Sequence, residues 1–323
     1  MKFRRSIAAV VGWACITAFV AHTAWTVEPA PPAKSLQGKR VMVLGDSITQ
    51  NGLYVSFIEY FLMKSHAPKD VDIISIGLSS ETTSGLSERV HPGPRPCVFS
   101  RLQRALEGVK PQIVVACYGM NDGIYLPLSA ERMKAFQDGI TRLVKESQAA
   151  GAEVILLTPP VFDPIPYGER VSQDDTGPGY TKPYAKYDDV LAEYGKWVMG
   201  LKMNGLITVD LHTEMAEYLA KRRASNPKFI LSGDGIHPGD LGHLLMAYAF
   251  MRGIGMPVPA GDLEAELARI QADPLFQLVK KHRETRSGKW LPYSQNRATK
   301  EAVDEAEKAA AALLTQIADM RQK

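Results

Sequence analysis

The chain has 323 residues, a formal net charge of +3, and 45% hydrophobic and 23% charged residues. That composition, without any low-complexity tract, excludes a disordered or fibrous protein and leaves room for one large domain or two ordinary ones. Lys2, Arg4 and Arg5 supply the whole positive excess, so the body from residue 25 onward is neutral and carries no footprint for nucleic acid.

In chain order, "MKFRR" precedes an uncharged apolar run from Ile7 to Ala21, and the Pro-rich "VEPAPPAKS" follows. This is the layout of a secretory signal peptide, and the run is short for a membrane span. Residues 1–24 are therefore expected to be a signal peptide that sends the protein to the periplasm or outside the cell, and 25–38 a linker. His22 stands where a small residue suits cleavage, which keeps an uncleaved N-terminal anchor as the alternative. Membrane contact is expected only in that case. Cys15 lacks the preceding leucine of a lipid-attachment site. Cys97 and Cys117 do not make a disulfide framework. Cys117 lies in an apolar strand pattern and reads as a small core residue; its pairing with Cys97 stays open.

From Arg40 onward, short apolar runs at 41–45, 71–76, 112–118, 153–158 and 206–211 predict strands. Between them, apolar residues recur at helical spacing. Leu53, Phe57, Tyr60 and Phe61 form one face. Met133, Phe136, Ile140, Leu143 and Val144 form a second, with Ser129 as its cap. Tyr187, Val190, Leu191, Tyr194, Val198 and Leu201 form a third. Strands rich in Val and Ile, alternating with helices, predict a parallel sheet covered on both faces: a three-layer α/β/α domain over 39–257. The segment 158–186 reads as a long Pro- and Gly-rich loop, of a length usually functional or disordered. Residues 258–323 read as a helical C-terminal extension. In it Val303, Ala306, Ala310, Leu313, Ile317 and Met320 mark an amphipathic helix docked on the body, too short to establish a coiled coil.

Ligands of open parallel sheets bind beyond the carboxyl ends of the strands. Those ends read "GDSIT", "GLSSETT", "YGMND" and "TPP", and a further loop reads "SGDGIHPGDLGH". Ser47 alone would be a helix N-cap. A hydroxyl becomes a nucleophile when a base takes its proton and a carboxylate orients the base. Asp234 and His237, three residues apart in a Gly-rich loop, offer both. His66, His212 and His282 read as structural, and His243 belongs to the following helix. Asn121, just past the third strand, offers a side-chain amide to a tetrahedral oxyanion; as a bare feature it is an ordinary turn residue.

"GDSIT", "GMND" and "DGIHP", in this order on strand ends, resemble the blocks of the SGNH hydrolase superfamily, also called GDSL esterases/lipases, over most of 40–255. The G-x-S-x-G elbow of the α/β-hydrolases is absent around Ser47. The resemblance implies a flavodoxin-like five-stranded parallel sheet. It also implies Ser47 as nucleophile and first backbone oxyanion donor, Asn121 as a side-chain donor, His237 as general base and Asp234 as its orienting acid, with Asp46 and Gly119 supporting. One block departs: alignment on Glu81-Thr82 puts Ser80 where the family has a glycine whose N–H is another oxyanion donor. The added Cβ matters if that position needs a positive φ; Gly77 is a poorer match.

The expected activity is hydrolysis of a carboxylic ester through an acyl-enzyme, with a small ester or acylated glycan as partner. Two alternatives stand beside it: a membrane-anchored lipid acylhydrolase resembling lysophospholipases, and a non-catalytic carbohydrate-binding relative, which only the Ser80 departure supports. Tyr167, Tyr180, Tyr184 and Tyr187 are candidate stacking surfaces for sugars. Arg95, in "HPGPRPC", is either a contact for an anionic substrate or a solvated surface residue. No cofactor is expected, and no metal, since neither zinc spacing nor a nucleotide-binding glycine fingerprint occurs. Oligomeric state is not encoded in these patterns.

Overall fold

The computed structural model describes residues 34–322. The expected signal peptide, 1–24, and residues 25–33 of the expected linker lie outside them. No helix among the described residues is long and apolar enough to cross a membrane.

Five strands form one parallel sheet: β1 (Arg40–Gly45), β2 (Asp72–Ser75), β3 (Ile113–Cys117), β4 (Glu153–Leu157) and β5 (Leu206–Val209), in the order β2-β1-β3-β4-β5. This is the flavodoxin-like order. Every residue of β3 is buried, as are all but the first of β1 and β4, which explains their continuous rather than alternating apolarity.

Ten helices complete the described fold. They are α1 (Ser47–Asn51), α2 (Leu53–Ser65), α3 (Leu102–Val109), α4 (Ala130–Ala149), α5 (Tyr187–Gly200), α6 (Leu211–Ser225), α7 (Asp240–Gly253), α8 (Leu263–Ala272), α9 (Pro274–Ser294) and α10 (Lys300–Arg321). Ser129 caps α4 by accepting a hydrogen bond from the Arg132 N–H, as its position predicts. Right-handed crossovers carry the chain outward one way from β1 to β2 and the opposite way from β3 to β5. The connecting helices therefore fall on opposite faces. α2 packs with α7 and α9, while α4 and α5 lie against β4 and β5. The direction changes between β1 and β3, so a crevice opens beyond their adjacent carboxyl ends.

The C-terminal helices are built into this frame. α9 lies against α2 and the edge strand β2, and α10 lies against α9, burying Val303, Ala306, Ala310, Leu313 and Ile317. Met320, assigned to the same stripe, stays 37% exposed near the helix end. Arg283 donates to Ser56 Oγ at 2.7 Å and to the Asn51 carbonyl at 2.9 Å, closing the end of α1. Arg286 donates to the Ile73 carbonyl of the edge strand at 3.0 Å and pairs with Asp72 at 2.6 Å and Glu307 at 3.0 Å. Cys97 and Cys117 are both free thiols, which closes the question of their pairing.

Arg286 is buried while its two acidic partners keep about a third of their side chains in solvent, so breaking the set costs less than breaking a fully buried pair. Arg286→Ala is expected to lower unfolding free energy by about 2–3 kcal/mol. Urea unfolding should show a lower midpoint with an unchanged slope; a midpoint equal to wild type would show that α9 does not clamp the sheet edge.

Candidate active site

β1 delivers Ser47 through a turn that only glycine permits. A Cβ on Gly45 would meet Thr49 Oγ1 at 2.2 Å and the Cys117 carbonyl at 2.7 Å. The next residue, Asp46, is the true N-cap of α1: its Oδ1 accepts from the Ile48 N–H at 3.0 Å. The capping role considered for Ser47 thus falls to its neighbour, and the Ser47 hydroxyl is left free to bond elsewhere. It lies 2.7 Å from His237 Nε2.

His237 is positioned from the other end of the chain by the loop before α7. Asp234 Oδ2 stands 2.6 Å from His237 Nδ1. Its Oδ1 accepts from the Ile236 N–H at 2.9 Å, the His237 N–H at 2.8 Å and the Ser232 hydroxyl at 2.9 Å. Partial burial opposes ionisation of Asp234, but the His237 ring and these donors hold its carboxyl well below the usual range. In return, the hydrogen bond to Asp234 raises the His237 pKa above the ordinary imidazole value, against the desolvation that lowers it. With Nδ1–H directed at the carboxylate, Nε2 is the acceptor facing the Ser47 hydroxyl.

The loop 158–186 buttresses this arrangement. The Asp163 N–H donates to the Gly235 carbonyl at 2.9 Å, and Gly235 sits at φ +84° where a Cβ would strike the Asp163 carbonyl at 2.3 Å. Arg223 pairs with the buried Asp163 carboxylate at 2.5 Å. His237 is thus braced by a segment legible in the sequence only as a long loop.

Beyond β3, Gly119 turns the chain at φ +130° against Pro159. Asp122 then ties this loop to the one after β2: its Oδ1 accepts from the Thr83 N–H and hydroxyl at 2.8 and 2.9 Å and from the Ser84 N–H at 2.7 Å. Between them Asn121 is 4% exposed, with its Nδ2 at 3.4 Å from Asp46 Oδ2 and 3.3 Å from the Glu81 carbonyl. Burial pushes the Asp46 carboxyl up to about 7. Asp46, Ser47 and Asn121 therefore converge on the β1–β3 crevice, with His237 reaching in from the loop before α7.

Ser80 adopts φ +64°, the left-handed conformation in which a glycine is usual. Gly77 serves differently: a Cβ there would lie 2.3 Å from the Gln50 nitrogen, so it lets the strand-two loop press against α1. The Ser47 and Ser80 N–H groups make no hydrogen bond to the described residues.

Arg95 corrects a sequence expectation. It is neither solvated nor available to an anionic substrate. It is 6% exposed and bound by both oxygens of Glu88, at 2.6 and 2.5 Å. Its Nη1 donates to Asn121 Oδ1 at 2.9 Å. Tyr125 donates its hydroxyl to the same oxygen at 3.0 Å. Neither Glu88 nor Tyr125 carried a motif or a period that would have singled it out. Of the candidate stacking tyrosines, Tyr187 is fully buried with its hydroxyl on the Met120 carbonyl at 2.9 Å, which removes it from any sugar surface. Tyr167, Tyr180 and Tyr184 remain half-buried along the loop. His212 and His282 are buried, and His243 lies in α7. Among the described residues no cluster of acids, histidines and cysteines could hold a metal ion.

Comparison with curated proteins returned no match. Among solved structures, a gut microbial diltiazem-metabolizing enzyme superposes with a TM-score of 0.64 at 14% identity, covering 90% of this chain and 96% of its own. A catalytic mutant of an acetylxylan esterase from Geobacillus stearothermophilus superposes at 0.50 with 21% identity, covering 70% of this chain and 98% of its own. At these identities the likeness is one of fold. The sequence itself matches the GDSL-like Lipase/Acylhydrolase family over residues 43–245, a span running from β1 through the Asp234–His237 loop into α7. The chain belongs to the GDSL-like Lipase/Acylhydrolase family and is a carboxylic ester hydrolase.

Proposed function

We propose that the protein hydrolyses short-acyl esters, O-acetyl groups on carbohydrate foremost, through an acyl-enzyme on Ser47. The observation that carries this reading is the continuous relay from Ser47 Oγ through the His237 ring to Asp234, with links of 2.7 and 2.6 Å. Both lie within the reach proton transfer needs. His237 Nε2 takes the hydroxyl proton as Oγ attacks the ester carbonyl. The N–H groups of Ser47 and Ser80 and the Asn121 amide receive the oxyanion. The imidazolium then protonates the departing alcohol, leaving the acyl group on Ser47. Water repeats the sequence and releases the acid.

Ser80 holds the positive φ at which its added Cβ costs strain, yet its N–H makes no hydrogen bond to the described residues, which supports a retained backbone donor over the non-catalytic alternative. The substrate class rests on the openness of the site. The His237 and Asp234 side chains are 47% and 54% exposed, which suits an acyl group on a bulky polymer better than a lipid chain that must be shielded from water. The acetylxylan esterase among the structural neighbours acts on such a polymer. Export through residues 1–24, as their pattern predicts, would bring the enzyme to it.

Acetate release from acetylated xylan is expected to exceed fatty-acid release from lysophospholipid. Ser47→Ala should fall to background, and Asn121→Ala should lose roughly 10²–10³ in kcat with little change in KM. Preferred release of fatty acid would move the substrate to lipids, and near wild-type turnover by Asn121→Ala would remove Asn121 from the mechanism.

The pH dependence follows from the raised His237 pKa. The imidazole must be neutral to accept the Ser47 proton, so kcat/KM falls as pH drops through that pKa. Asp234→Asn removes the carboxylate that raises it. The acid limb should therefore move to lower pH while kcat falls by up to about 10⁴. An acid limb that stays in place would show that another group governs it.

A further inference from the structure

Asn121 can serve an oxyanion only if its amide nitrogen, not its oxygen, faces the crevice. The two ends of an amide are nearly the same in shape, and a turn after a strand does not choose between them. The choice is made by Arg95 and Tyr125. A guanidinium has donors and no acceptor, so the Asn121 atom 2.9 Å from Arg95 Nη1 must be the oxygen. The Tyr125 hydroxyl donates to that same oxygen at 3.0 Å, and burial holds its pKa well above the ordinary value, so it keeps its proton. With both acceptor positions of Oδ1 filled, Nδ2 turns to the other side, where its contacts are long: 3.4 Å to Asp46 Oδ2 and 3.3 Å to the Glu81 carbonyl.

The arrangement is built with some force. Arg95 is locked by a bidentate pair with buried Glu88, and its guanidinium lies 5.5 Å from the Tyr125 ring centroid and 5.8 Å from that of Tyr180. Its Nη1 also reaches the Ser80 carbonyl at 3.5 Å, beside the other departure from ordinary backbone in the site. Tyr125 and its neighbour Ile124 both take positive φ, +59° and +48°. That conformation is unfavourable for a tyrosine and more so for a β-branched residue. Strain at two successive residues persists where surrounding contacts over-determine it, and here the strained turn places the Tyr125 hydroxyl on Asn121.

We infer that Arg95 and Tyr125 are positioning residues that orient and polarise the Asn121 amide as an oxyanion donor, with Glu88 holding Arg95 in place. Positive charge and a second donor at Oδ1 draw electron density out of the amide nitrogen, which makes its N–H groups stronger donors to a negative oxygen. The effect is exerted on the transition state, where the charge appears, and not on the bound ester. The inference rests on the oxyanion role proposed for Asn121.

The test is a double-mutant cycle on a soluble ester such as p-nitrophenyl acetate. Tyr125→Phe keeps the ring and its packing and removes only the hydroxyl; kcat should fall roughly tenfold with KM within twofold. Arg95→Gln, paired with Glu88→Gln so that no buried charge is left alone, should lower kcat roughly 10²-fold. In an Asn121→Ala background neither change should lower kcat further. If the Arg95 variant does not fold, the Tyr125→Phe pair decides the matter. Full activity of a folded Tyr125→Phe, or losses that multiply with that of Asn121→Ala, would overturn the inference while leaving Asn121 its role. Near wild-type turnover by Asn121→Ala alone would instead overturn the parent reading.

Discussion

A hydrogen bond joining residues 190 positions apart, from Ser47 Oγ to His237 Nε2, is the constraint on which the architecture converges. The hydroxyl needs the end of β1, the imidazole needs the loop before α7, and neither can shift by an ångström without losing the other. The sheet order places the first on the edge of the β1–β3 crevice. The brace from Asp163 to Gly235 holds the second. Glycine at 45, 77 and 235 is required because backbones meet there at distances no Cβ allows.

The floor of the site is charged, which is costly in a protein interior. Glu81 pairs with Arg101, Glu88 with Arg95, and Asp46 and Asp122 lie buried beside them. A buried pair seldom adds stability over apolar residues of the same size. What these pairs do here is directional. Both pairs cross-link the β2–α3 connection to itself, and Arg95 and Asp122 tie that connection to the loop after β3, so donors and acceptors around Asn121 are fixed in polarity as well as place. The relay above them is open to solvent, and that contrast of buried floor and exposed rim is what supports the proposal of a large substrate.

Much of the fold was legible because it rests on local signals. Continuous Val and Ile runs announced the parallel strands, helical spacing announced α2, α4 and α5, and Ser129 announced the start of α4. Strand order was not, because crossover direction leaves no trace in a hydrophobic pattern. In the site, Ser47, Asp234 and His237 stood out through residue type and turn spacing, and their convergence was implied by resemblance. Arg95 and Tyr125 were not legible as partners of Asn121, since their contact depends on a left-handed turn at Ile124–Tyr125 and on the fold of the 85–97 segment. Asp46 was noted as supporting, yet its capping of α1, which frees Ser47, emerges only from backbone geometry.

The central claim is that Ser47 is the one hydroxyl made nucleophilic by this relay. Its most direct measurement is mass spectrometry of peptides after treatment with a fluorophosphonate, which traps an activated serine as a stable adduct. Stoichiometric modification of the peptide containing Ser47 is expected, with loss of that modification in His237→Ala. An unmodified Ser47 in folded protein, or equal labelling without His237, would contradict that claim.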